Sequence, residues 1–189
     1  MPRLQVIVAS TRPGRKGPVI AEWFVEYART HGKFTIELVD LAETNLPLLD
    51  EPKHPRFGDY EHAHTRAWSA TIARGDAYVF VTPEYDYGAP ASLINALQCL
   101  AQEWAYKAAG FVSYGGVSGG LRGVQMTKQL VTALKMMPMA EGVAIPFFAH
   151  HIDAASGKFT APELQTTAAG VMLNELLKWT TALAPLRSA

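Results

Sequence analysis

The chain has 189 residues, 49% of them hydrophobic and 10% aromatic, enough to close one core and most simply organised as a single domain over residues 1–189. Lysine plus arginine and aspartate plus glutamate each number 17, so the whole-chain field favours neither nucleic acid nor a strongly charged partner. A single cysteine, Cys99, excludes an internal disulfide and a thiolate-rich metal site and suits a reducing compartment. No apolar run approaches the roughly 20 residues of a membrane span, and residues 1–3 lead straight into a strand rather than a secretory leader. A soluble, cytoplasmic protein is expected.

Residues 4–9, Leu-Gln-Val-Ile-Val-Ala, are short and rich in β-branched side chains, which predicts a first strand that is central and buried. The polar loop from Ser10 to Gly17 then opens into a helix at Pro18, a residue suited to the first helical position, running to about His31 with Gly32 as its stop. Residues 34–40 predict a second strand whose less pure alternation places it nearer the sheet edge. Residues 41–59 carry Pro47, Pro52, Pro55 and Gly58 and form a loop longer than most connections. Leu46, Leu48, Leu49 and Phe57 within it are expected to pack on the body or on a second subunit. Residues 60–75 predict a helix with Trp68 and Ile72 on one face.

The apolar run at 77–82 reads as a strand buried on both faces. It breaks at Pro83 into Glu-Tyr-Asp-Tyr-Gly-Ala and Pro90, and the two prolines prevent the six residues between them from simply extending strand or helix. A helix over 91–104, a strand over 107–114, a glycine-rich loop over 115–120 and a helix over 121–137 follow, the last with Val124, Leu130, Val131 and Leu134 on one stripe. Met136, Met137 and Met139 read as helix-end packing. A fifth strand over 142–148, a polar connection over 153–162 and a closing helix over 162–184 complete the chain, without internal repeat or linker. Five strands alternating with helices predict an α/β fold, a doubly wound parallel sheet with right-handed crossovers in the order 2-1-3-4-5. That order brings three loops together at the carboxyl ends of the strands: residues 10–17, 83–88 and 113–120.

The first loop has the parts of an anion site: hydroxyls at Ser10 and Thr11, guanidinium groups at Arg12 and Arg15, and the amides of a helix N-terminus around Gly17 and Val19. Phosphate is the natural guest of such a set, because helix N-termini carry partial positive charge and arginine binds phosphate bidentately. An ordinary turn with solvated arginines is the bland alternative. The loop lacks the Gly-Lys-Ser/Thr of a Walker A sequence and the Gly-x-Gly-x-x-Gly of dinucleotide folds.

Two stretches together carry a family resemblance: Ala9-Ser-Thr-Arg-Pro-Gly-Arg15 after strand one, and Thr82-Pro-Glu-Tyr-Asp-Tyr-Gly-Ala-Pro-Ala-Ser-Leu-Ile-Asn-Ala-Leu97 after strand three. Nearly the whole chain resembles the NADPH-dependent FMN reductases, the second motif being the specific one. The resemblance implies a flavodoxin-like fold, non-covalently bound FMN, a homodimer or homotetramer, and hydride transfer from NADPH or NADH to flavin, quinone or a similar small-molecule acceptor. Carried over by position, Ser10, Arg12 and Arg15 would hold the FMN phosphate. Pro83, Glu84, Tyr85 and Asp86 would line the isoalloxazine, and Ser113, Tyr114, Gly115 and Gly116 would close its other edge. Three positions depart from the family pattern: Ala9 and Arg15 replace a glycine and a serine, and Asp86 replaces an asparagine, so it accepts hydrogen bonds but donates none when ionised. No catalytic acid or base is required, because the flavin carries the chemistry. Tyr85 and Tyr87 are candidates to stack on a ring or to pack beneath the loop.

Two other readings belong to different classes. Residues 116–120, Gly-Val-Ser-Gly-Gly, match the Gly-x-Ser-x-Gly elbow of serine hydrolases, with Ser118 as nucleophile and Glu141 and His150 following in suitable order. Against this, Ser118 lies well beyond the strand end and no His-Gly-Gly-Gly element precedes it. An electron-carrier flavodoxin without turnover is the third reading, disfavoured by the balanced charge. His62 and His64, two apart, point to different faces of a helix, and His150-His151 have no nearby cysteine, so no metal site is expected.

Overall fold

The computed structural model describes residues 1–187. Strand β1 (Arg3–Val8) is followed by α1 (Gly17–His31), β2 (Thr35–Asp40), the short α2 (Leu41–Thr44), α3 (Ala63–Ala73), β3 (Ala77–Pro83) and α4 (Ala91–Gln98). Then come β4 (Ala108–Tyr114), α5 (Leu121–Ala133), β5 (Met137–Pro138), β6 (Val143–Ile145) and α6 (Glu163–Leu183). The strands form one parallel sheet in the order β2-β1-β3-β4-β5, with β6 also bonded to β4. This is the doubly wound arrangement, and β1 and β3 flank the point where chain order reverses.

Burial follows the strand patterns. Every residue of β3 and β4 is buried, as befits central strands covered on both faces. In β2 only Val39 is buried, because the strand lies at the edge. Two apolar layers result. One lies under α1 and α6, with Phe24, Met172 and Leu176; the other lies under α3, α4 and α5, with Trp68, Ile72, Leu93 and Trp104. Cys99 is buried in the second layer, a packing residue.

Four local expectations are corrected. The fifth strand is two short pieces on β4: Met137–Pro138 pair with Ala108–Ala109, and Val143–Ile145 pair with Val112–Tyr114. Pro138 sits where its missing amide faces away from β4, the amides of Met137 and Met139 donating to the Lys107 and Ala109 carbonyls at 3.0 and 2.8 Å, and residues 140–142 detour between the pieces. The helix expected to run to Met137 ends at Ala133, because Lys135 turns left-handed (φ 59°) and sends Met137 into the sheet. The helix expected over 91–104 stops at Gln98. A 3-10 turn at Gln102–Trp104 then brings Trp104 inward, where its Nε1–H donates to the Leu97 carbonyl at 3.1 Å. His62 precedes α3 in extended conformation, so the two histidine rings do not diverge: they stack 5.2 Å apart, and His64 Nε2 lies 3.0 Å from Asp50 Oδ1.

The long connection after β2 is held mainly by polar contacts. Asn95 donates to the Pro47 carbonyl at 2.8 Å and accepts from the Leu49 amide at 2.9 Å, while the Glu51 carboxylate accepts from the amides of Glu61 and His62. Leu46 packs on the core, whereas Leu48 and Phe57 are exposed. No helix among the described residues is long and apolar enough to cross a membrane.

Candidate functional site

The loop after β1 leaves the sheet with the Ala9 amide bonded to the Val81 carbonyl at 3.0 Å. Ser10 is fully buried, its Oγ accepting from the Tyr114 hydroxyl at 3.2 Å. The chain then surfaces: Thr11, Arg12, Pro13 and Gly14 are exposed before α1 begins at Gly17. Among the described residues no side chain caps the N-terminus of α1 and no acid lies in its first turn, so its amides and partial positive charge are available to an outside anion. Gly17 is required by closeness. A Cβ there would stand 2.5 Å from Ser10 Oγ and 3.0 Å from the Tyr114 hydroxyl, so any larger residue pushes the loop off the end of β4.

The two arginines of this loop separate. Arg15 turns away from the loop's outer face and forms a two-point ion pair with Asp40 at the carboxyl end of β2, at 2.6 and 2.7 Å, and donates to the Ser10 carbonyl at 2.9 Å. Arg12 stays exposed; its Nε donates to the Tyr85 hydroxyl at 3.2 Å, and its guanidinium carbon lies 5.9 Å from the centre of that ring. Arg12 is thus free to meet a ligand, and Arg15 braces the loop from behind. Asp40, absent from the sequence reading, was findable as the acid that ends a strand next to β1.

The second loop is a tight reversal. Pro83 still pairs with Tyr114, and Tyr85 and Gly88 then exchange hydrogen bonds at 2.9 and 2.8 Å. Asp86 (φ 48°) and Tyr87 (φ 69°) between them are both left-handed, as two-residue hairpin turns of type I′ require. Aspartate and asparagine enter that region most readily among non-glycine residues. Position 86 is therefore explained by backbone conformation, whichever of the two occupies it. The Tyr85 and Tyr87 side chains are exposed rather than packed beneath the loop, and Arg122 lies over the Tyr87 ring at 3.9 Å.

Glu84 does not face solvent. Its side chain is 6% exposed, and the carboxylate accepts from Arg122 Nε at 2.7 Å, Ser118 Oγ at 3.0 Å and the backbone amides of Arg122 and Gly123 at 3.0 and 3.3 Å. The acid thus caps the first turn of α5 and ties the second loop to the third. Burial alone would push its carboxyl upward, but the bonds from Arg122, Gly123 and Ser118 outweigh that and hold it below the ordinary glutamate range. Arg122 was not singled out from sequence, where it reads as an ordinary surface residue of the helix.

In the third segment Ser113 and Tyr114 point inward: the Ser113 hydroxyl donates to the Gly119 carbonyl at 2.8 Å, and Tyr114 bonds Ser10. Burial pushes the Tyr114 phenol up to about 12, keeping it a neutral donor. Gly115 and Gly116 therefore present the chain's edge, while Phe147, left-handed at φ 47° and exposed, bonds the Gly116 carbonyl through its amide at 3.0 Å. Nothing in the sequence marks Phe147, since a positive φ at phenylalanine comes from its surroundings. Ser118 lacks the surroundings of a nucleophile: its hydroxyl is engaged by Glu84, the Gly120 amide and Arg122. No hydrogen bond joins Ser118 to His150 or Glu141 among the described residues, so the triad is not assembled.

Three loops remote in sequence are thus bonded into one crevice: Arg12 to Tyr85, Tyr114 to Ser10, and Glu84 to Ser118. Comparison with known proteins bears on what such a crevice belongs to. An NAD(P)H-dependent FMN reductase of Schizosaccharomyces pombe is 43% identical over 137 residues, 71% of this chain and 68% of that one. An enzyme of the same description from Saccharomyces cerevisiae is 33% identical over 76% of this chain and 80% of its own length. Among solved structures, FerB, a flavoenzyme NAD(P)H:(acceptor) oxidoreductase from Paracoccus denitrificans, superposes with a TM-score of 0.74 over 96% of this chain and 98% of that one. At 20% identity that likeness speaks to the fold, which a Streptococcus flavodoxin shares with a TM-score of 0.56 at 12% identity over 93% of this chain and 97% of that one. The family model of NADPH-dependent FMN reductase matches residues 2–150, the segment that supplies all three loops, and the chain belongs to that oxidoreductase family.

Proposed function

We propose that the crevice holds FMN and that the protein oxidises NADPH or NADH and passes the hydride to a flavin, a quinone or a similar small acceptor. The donor set fits the group. A phosphate needs donors without competing acids, and the exposed Arg12, the Thr11 hydroxyl and the uncapped first turn of α1 around Gly17 and Val19 supply them. Arg15 and the buried Ser10 act here as supports of the loop rather than its outer contacts. Bound FMN supplies the hydride chemistry, accepting from one substrate and giving to the next.

The chain's own residues hold and shape the site. Pro83 and the Tyr85–Gly88 turn form one wall, the Gly115-Gly116 edge with Phe147 the other, and the Glu84 carboxylate keeps the two walls in register. Held ionised and fully bonded, Glu84 serves as a tether and not as a proton donor. The single observation that carries the reading is the Arg12–Tyr85 hydrogen bond, which joins the anion-binding loop to the turn on the other side of the switch point. Donor and acceptor then use the same open face in turn, which gives ping-pong kinetics. Self-association into a dimer or tetramer belongs to the same proposal.

The test is the absorption spectrum of the purified protein with identification of the released cofactor, followed by steady-state NAD(P)H oxidation at several acceptor concentrations. A yellow protein releasing FMN and showing parallel double-reciprocal lines is expected. A protein that neither retains FMN nor oxidises NAD(P)H when FMN is added would overturn the reading, and intersecting lines would overturn the shared face. Light scattering reads the oligomer.

A further inference from the structure

A second hollow, of about 840 Å³, opens at the opposite end of the sheet. Asp76, immediately before β3, and Lys107, immediately before β4, lie on its wall, so it sits at the amino ends of the central strands, roughly 20 Å from the crevice by the length of β4. Its volume falls within the range of small-molecule sites.

Three features set this hollow apart from an ordinary surface groove. The first is strain: Tyr106 and Lys135 on its wall are both left-handed, with φ 59° each, and the Tyr106 amide bonds the Lys135 carbonyl at 2.9 Å. Paired left-handed residues that are not glycine persist only where surrounding structure imposes them, and they concentrate at functional sites. The second is charge. Lys107, only 7% exposed, donates to the carbonyls of Ile72 and Ala73 at 3.1 and 3.3 Å, which neutralises the C-terminal end of α3. The two acids of the wall are already engaged. Asp76 pairs with Arg187 at 3.3 Å and accepts from the Arg3 amide, and Glu103 accepts from Ser69 at 2.6 Å and Tyr60 at 3.0 Å. Arg56 and Lys135 remain, resting among the described residues only on aromatic faces, Phe57 and Tyr106. The third is apolar surface, from the Tyr106 ring with Leu134 and Leu186.

Excess positive charge beside a flat ring and aliphatic walls fits one ligand chemistry. We propose that this hollow is a second binding site, for a small planar aromatic anion, with Lys135 and Arg56 meeting the charge and Tyr106 the ring. The proposal stands apart from the flavin reading, since no residue of the crevice enters it.

The test is a fluorescence titration with anilinonaphthalene sulfonate at neutral pH, on protein loaded with one equivalent of FMN and freed of any excess, alongside phenylnaphthylamine, which has the rings without the charge. Saturable one-to-one binding of the sulfonate is expected, at least about tenfold tighter than the uncharged compound. The exposed double substitution Lys135→Gln and Arg56→Gln should weaken the sulfonate by about tenfold or more, and Arg12→Ala at the other end should leave it unchanged. Absence of saturable binding, equal affinity for both compounds, no effect of the double substitution, or loss of binding on Arg12→Ala would each overturn the site. Melting curves of the variants read folding separately.

Discussion

Glu84 and Arg122, 38 residues apart, meet at 2.7 Å between the turn after β3 and the first turn of α5, and this pair holds the two walls of the crevice together. The carboxylate is buried and the guanidinium half-exposed, so breaking the pair strands the acid's other donors rather than a buried cation. Glu84→Gln keeps the shape but loses the charge-assisted bonds, and should lower stability by about 1–2 kcal/mol. Flavin affinity should fall with it. The pH response has a definite sign: with its carboxyl below the unfolded value of 4.5, the wild-type stabilisation is complete above that pH and decays as pH falls through the lower folded value. Urea melts of both proteins across the acid range should converge at low pH; a constant difference would show that the charge is not involved.

The two arginines of the first loop should divide stability from binding. Arg15→Ala leaves Asp40, 12% exposed, without its partner and should cost about 2 kcal/mol in denaturant melts. Arg12→Ala should change stability by less than about 0.5 kcal/mol, since its contacts are exposed. Its FMN dissociation constant should rise by about tenfold or more, as expected when a charged phosphate contact is lost. The reverse pattern in calorimetry would exchange their roles.

Tyr87 is a bulky residue in a conformation suited to glycine. Tyr87→Gly relieves that strain but loses the contact with Arg122, so stability should shift by no more than about 1 kcal/mol. An exposed aromatic kept at such a position points to use by a ligand. The kcat/KM for NAD(P)H should fall by about tenfold in Tyr87→Gly and be largely retained in Tyr87→Phe, since the ring face supplies the contact. Unchanged kinetics in the glycine variant would remove Tyr87 from the site.

Lys107 carries a pH dependence of the same sign, but in the alkaline range. Burial, with Arg187 adding to it, pulls its amine down to about 8 from 10.5 in the unfolded chain. Between those values the unfolded chain holds a proton that the folded chain has released, so this residue makes stability rise with pH across the window, by about 3 kcal/mol in total. In Lys107→Met the slope of unfolding free energy against pH between 8 and 10.5 should flatten. An unaltered slope would assign it to another group.

Much of this molecule is written locally. The β-branched run before Ser10 and the wholly apolar run before Pro83 specify central strands, the mixed pattern of β2 an edge, and Pro18 and Gly32 the limits of α1, because hydrophobic period, proline and glycine act on the chain within a few residues of themselves. From the resulting alternation the sheet order and the meeting of three loops follow, since crossovers are right-handed and ligands gather where chain order reverses. The split fifth strand and the early end of α5 escaped, because a left-handed lysine and the contacts that impose it lie beyond any local pattern.

Side-chain partnership is what only the tertiary structure decided. Arg12 and Arg15 are alike in sequence, yet one is free and the other tied to Asp40, 25 residues on, because strand register brings the end of β2 beside the first loop. Glu84 looks like a ligand contact until Arg122 and the open amides of α5 reach it, and Ser118 looks like a nucleophile until its hydroxyl is seen to be spoken for. A charged or polar side chain takes its role from the nearest complementary group in space. The amino-acid order determines which groups exist; the folded register determines which of them meet.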